Sequence, residues 1–164
     1  MKFVSEELVN QTIEELSADP ELYGMCVQSL LQEQPNIIAY FFQEDFSLLT
    51  EAEHEYLLYL LIVIWKSIQK EEPSAGRLSQ NAIGRMDEQN WEQLKDVKKG
   101  KFRERVDPFF VDYPQEDLLA FVEDALVHDE EEEERKVSNE GREYLFVALK
   151  SIIDAFHQLP ALQN

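Results

Sequence analysis

A carboxylate and an imidazole one helical turn apart can hold a metal, and the sequence carries that spacing twice, as Glu51-x-x-His54 and Asp154-x-x-His157. Residues i and i+3 share a helix face, so antiparallel packing of the two helices would unite the pairs as in dinuclear metal bundles. Two features weigh against that use. Glu51 belongs to a helix start and His157 to a helix end, where solvent is near, and no apolar-flanked Glu stands mid-helix to complete a ligand set. The sequence therefore calls for no metal and no other cofactor. His128 follows Asp124 at the end of a helix, where the dipole favours an imidazolium, and it reads as structural. The single cysteine, Cys26, lies among Leu22, Met25 and Leu30 with no basic neighbour in sequence, so it reads as a buried small hydrophobe.

Motifs that would announce an enzyme are missing from the sequence. It holds no phosphate loop, dinucleotide fingerprint, nucleophile elbow, His-Glu-x-x-His helix or paired Cys-x-x-Cys. What remains is charge and aromatic patterning. Residues 129–134 are six consecutive carboxylates without the alternating order of a calcium loop, which makes them a docking strip for a basic partner or a solvated loop. Between Arg77 and Arg105 the chain carries eight basic and five acidic residues, net +3, leaving -22 on the remainder. Within this island Lys98, Lys99, Lys101, Arg103 and Arg105 flank Gly100 and Phe102. Such a turn could hold phosphate, with Phe102 stacking on a base. The competing expectation is that the lysines complement a helix C-terminus and the island is drawn to the protein's own acidic remainder. A third pattern is Phe109, Phe110 and Tyr113 between Pro108 and Pro114, an aromatic cluster that either contacts a partner or closes one end of the core.

The elements that must position these residues follow from composition and punctuation. The chain has 164 residues, 44% of them apolar, with five Gly, six Pro and a formal charge of -19. That is enough apolar surface for one core, and the scarcity of breakers predicts long helices. The expected fold is all-α, a single-domain helical bundle or short α-superhelix of about seven helices, with two possible halves, 1–72 and 77–164, joined by a loop at 71–78. Ser5, Asp19-Pro20, Thr50-x-x-Glu53, Ser79 and Ser138 mark helix starts, and the third helix carries Ile37, Ile38, Tyr40, Phe41 and Phe42. Gly100 should stop the fifth helix, residues 107–114 should form a partly extended connection, and the last helix should end near Pro160. The helix opened by Thr50 is apolar on every face over 56–65, which makes it the element the others surround. That run is shorter than a membrane span needs.

Laying the second half over the first aligns Ile37-Ile38-Ala39-Tyr40 with Leu118-Leu119-Ala120-Phe121, and Thr50 with Ser138 ahead of a shared Glu-Tyr-Leu. A degenerate duplication of a helix-pair unit would produce this, as would chance alignment of caps and leucine-rich faces. The functional expectation is a cytoplasmic, non-catalytic interaction protein that binds another protein with a basic surface. The contact residues would be Phe109, Phe110, Tyr113, Glu131, Glu132, Glu133 and Glu134. The alternative is a nucleic-acid-linked regulator that uses the basic island or occupies the DNA site of a basic protein, and self-association of island with acidic remainder is a further option. Direct nucleic-acid binding is opposed by the overall charge, and no membrane partner is expected.

Overall fold

Helices begin where a side-chain oxygen can take up an unpaired backbone donor. In the computed structural model, which describes residues 1–41 and 49–163 and says nothing of side chains beyond 159, Ser5 Oγ accepts from the Leu8 N–H to open α1 (Glu6–Ala18). Asp19 accepts from Glu21 and sets Pro20 at the first position of α2 (Pro20–Glu33), and α3 (Pro35–Phe41) follows at once. Phe42 lies outside the described residues. The capping box at Thr50 forms in both directions: the Glu53 N–H donates to the Thr50 hydroxyl at 3.1 Å and the Thr50 N–H to the Glu53 carboxylate at 3.0 Å. It opens α4 (Glu51–Glu71), and Ser79 opens α5 (Gln80–Lys95). The remaining helices are α6 (Phe102–Val106), α7 (Glu116–Glu131) and α8 (Asn139–Gln163), with a 3-10 turn at Asp107–Phe110. The fold is all-α, with eight helices and no strand among the described residues.

Residues 60–65 of α4 are buried without interruption, and α1, α2 and α8 pack against that helix. Helices α5 and α7 pack on α8, and α3 packs on α5. One apolar cluster joins Leu30 and Ile64 to Leu78 and Leu149, so the segment 71–78 does not separate two cores. That segment is fastened to the α2–α3 joint. The buried Gln34 side chain donates to Gly76 O at 2.9 Å and accepts from the Leu78 N–H at 3.0 Å, and Asn36 donates to Leu78 O at 2.8 Å. Amide side chains here supply the partners that a polar loop would otherwise seek from water.

Four boundaries differ from the expected ones. Helix α5 ends at Lys95, before Gly100, and the following stretch forms the additional short helix α6. The expected extended connection is a 3-10 turn, because Pro108 sits in its first turn where no N–H is required. Helix α7 continues past His128 into the acidic run. Its Asp129 carboxylate accepts from the N–H groups of Lys136 and Val137 at 3.0 and 2.9 Å, closing the connection to α8. Helix α8 runs through Pro160, where the missing N–H costs one bond of the ladder near its end. Among the described residues, no helix is long and apolar enough to cross a membrane.

Candidate functional site

One carboxylate serves two helix starts. Besides closing the α4 box, Glu53 Oε2 accepts from the N–H and the hydroxyl of Ser138 at 3.2 and 3.1 Å, while Ser138 Oγ accepts from the Gly141 N–H at 3.0 Å to cap α8. Burial acts to raise the Glu53 carboxyl, but the backbone and hydroxyl hydrogen bonds from Thr50 and Ser138 outweigh it and hold the group below the ordinary carboxylate range. Gly141 is needed at this junction because a Cβ there would lie 1.7 Å from Glu53 Oε2. The starts of α4 and α8 are therefore neighbours. Asp154 and His157 lie more than four turns further along α8, roughly 24 Å away by helix rise, so the two carboxylate and imidazole pairs do not converge. Among the described residues no group of three metal-ligating side chains forms.

The junction also sets where the acidic strip and the basic island meet. Asp129 is turned inward, and Glu130 pairs with Arg142 at 3.3 Å. Glu131, Glu133 and Glu134 are exposed and have no cationic partner among the described residues, and Glu132 meets only His128, at 3.0 Å. Beside Glu130 the chain from α5 to α6 and the first turn of α8 line an open cleft of about 910 Å³. Of the five expected island residues, Arg103 pairs with Glu123 and Asp124, and Arg105 with Glu143 and with the carbonyls of Val97 and Lys98. Lys98, Lys99 and Lys101 are exposed and carry no ion pair among the described residues. Phe102 is half-buried and already makes ring contacts within the protein. Its ring stands edge-on to Phe146, 5.8 Å between centroids, and the Arg142 guanidinium covers it at 5.5 Å.

Arg142 is the residue in this cleft that sequence reasoning missed. It is 4% exposed, its other side-chain hydrogen bond is to Asn139 at 3.3 Å, and its Nε is buried without a hydrogen-bond partner among the described residues. A buried donor left unmade costs about 1–3 kcal/mol. Nothing in the local sequence marks it, since Glu130 and Phe102 are distant in the chain.

A second polar cluster was also missed. Lys150 Nζ donates to Asn90 Oδ1 at 2.9 Å and to Asp154 Oδ2 at 2.8 Å, and Asn90 in turn donates to Ser151 Oγ and Asp154 Oδ2, both at 3.0 Å. The Tyr113 hydroxyl donates to the other Asp154 oxygen at 2.6 Å, and its burial, with the charge of Asp154, pushes its ionisation well above the usual tyrosine range. Lys150 also lies 4.6 Å from the Tyr113 ring centroid and 5.4 Å from that of Phe109. The sequence signal was present: Lys150 and Ser151 interrupt a stretch of α8, 145–153, that is buried on every face. A small cavity of about 230 Å³ adjoins the cluster, bordered by His157 and Gln93.

This cluster decides how the three predicted aromatics are used. Phe109 is 3% exposed and packs edge-on against Phe146 at 5.6 Å, so its ring is not presented to a partner. Phe110 and Tyr113 are half-buried against the core, and Val111 between them is 74% exposed. Cys26 is 4% exposed. A scan against protein-family models matches none, and searches of curated proteins and of solved structures return no match.

Proposed function

We propose that this chain is a non-catalytic, cytoplasmic, acidic helical module that docks a basic surface of another protein through Glu131, Glu132, Glu133 and Glu134. One observation carries the reading. These carboxylates stand at the end of α7 with no cationic partner among the described residues except His128, whereas Asp129 and Glu130 beside them are used by the fold. Unpaired like charges concentrated on one edge raise the association rate with an oppositely charged surface. A single buried cysteine suits a reducing compartment.

The test begins with affinity capture from lysate of the source cells, followed by association kinetics with the recovered partner at several salt concentrations. Changing Glu131, Glu133 and Glu134 to Lys should slow association about tenfold or more at low ionic strength and flatten its salt dependence. The melting temperature should not move, because none of the three side chains makes an ion pair or hydrogen bond among the described residues. An unchanged association rate would overturn the proposal.

A further inference from the structure

The geometry points to a second, independent site: we propose that the cleft between the α5–α6 segment and the start of α8 binds a compact, multiply charged oxyanion, such as the phosphate groups of a small ligand. Lys95, Lys99 and Lys101 line it without carboxylate partners among the described residues. Of the three carboxylates in its walls, Glu130 and Glu143 are already tied to Arg142 and Arg105, which leaves Glu140. The cleft is therefore locally cationic in a protein whose formal charge is -19.

Arg142 supplies the second observation. Its guanidinium is buried in the wall, 5.5 Å from the Phe102 ring centroid, and its Nε donor has no acceptor among the described residues. That donor is closed to solvent in the free protein, but the guanidinium is held only by contacts of 3.3 Å to Glu130 and Asn139, so a small turn of the side chain offers its fork to an oxyanion, whose paired oxygens it matches in spacing. The first turn of α8 borders the same space through Asn139 and Glu140 and adds the positive end of a long helix.

Size and surroundings choose a compact anion over a nucleic acid. The volume of about 910 Å³ holds a small phosphorylated molecule. A polymer leaving the cleft would run past Glu130 onto the carboxylates of 131–134, which repel phosphate. The strip thus excludes long polyanions from the site it adjoins.

Titration of the full chain with inorganic tripolyphosphate, followed by calorimetry and by amide chemical shifts, tests this. The expected result is a single site, with shifts confined to residues 95–103 and 139–142. The variant Lys99→Ala/Lys101→Ala should bind about tenfold more weakly, with an unchanged melting temperature. Arg142→Lys, which keeps the charge and loses the fork, should also weaken binding. The double variant keeps the test decisive if the Arg142 change impairs folding. Neutralising Glu131, Glu133 and Glu134 to Gln should tighten binding. Absence of shifts at millimolar tripolyphosphate, shifts spread over lysines throughout the surface, or full affinity in the double variant would overturn the proposal. So would tighter binding of a single-stranded oligonucleotide, or cleft shifts that appear with protein concentration alone and so name a second copy as the occupant. None of these outcomes bears on docking through the acidic strip, so the two proposals fail separately.

Discussion

Arg142 and Lys150 are both buried cations on α8, about two turns apart, and they are treated in opposite ways. Lys150 is enclosed by Asn90, Asp154, Tyr113 and Phe109, and each polar atom of that cluster meets a partner at 2.6 to 3.0 Å. Arg142 has longer contacts, a half-exposed partner in Glu130 and a donor with no acceptor among the described residues. Burial of a charge alone is thus no sign of a ligand. What separates a structural pin from a candidate site is whether the protein itself completes the hydrogen bonds.

The sharpest way to break this contrast is to remove each cation. Lys150→Met leaves Asp154 enclosed and unpaired, so urea unfolding should show a loss of about 3–5 kcal/mol. Adding Asp154→Leu should recover part of it, because a buried pair replaced by apolar groups is far cheaper than half a pair. Arg142→Met should cost about 1 kcal/mol or less, since Glu130 can turn to water and an orphaned donor disappears with the side chain. Equal costs at the two positions would dissolve the distinction.

The capping junction, which orients both regions of α8, offers the next largest effect. Gly141→Ala forces a methyl onto the Glu53 carboxylate and should destabilise by about 1–3 kcal/mol. In combination with Glu53→Ala the loss should be well short of additive, and a double-mutant cycle measures the coupling. Additive costs would mean that the close approach is not what requires glycine.

The smallest effect concerns pH. Hydrogen bonds hold the Glu53 carboxyl below its ordinary value, so its contribution to stability is complete above that ordinary value and is lost as the pH falls through the lower folded-state value. Wild type and Glu53→Gln should differ by about 1 kcal/mol at neutral pH and converge in acid. A difference that persists in acid would assign the loss to shape and not to charge.

Much of the fold was legible because the interactions that start helices close within a few residues. Ser5, Asp19, Thr50 and Ser79 bond donors two or three positions ahead, and a cap of that reach is written in local sequence. The apolar run in α4 announced its own burial in the same way. The breakers misled where context overrode them: Gly100 and Pro160 do not end their helices, and Asp129 reads as one of six repelling carboxylates until its loop closes around it. At the candidate sites the sequence showed where the acidic strip and the basic island lie, since charge patterning needs no partner, but not which of those charges are paired.

By itself, then, the sequence determined the helical class, the starts of the side-chain-capped helices, the burial of α4 and the uneven distribution of charge. The tertiary structure alone decided which charges stay unpaired. Lys150 reaches Asn90 across 60 residues, Tyr113 reaches Asp154 across 41, and Glu53 reaches Ser138 across 85. A side chain's partners at that separation depend on how helices pack, and packing is governed by the shape of the whole apolar core, which no local window of sequence contains.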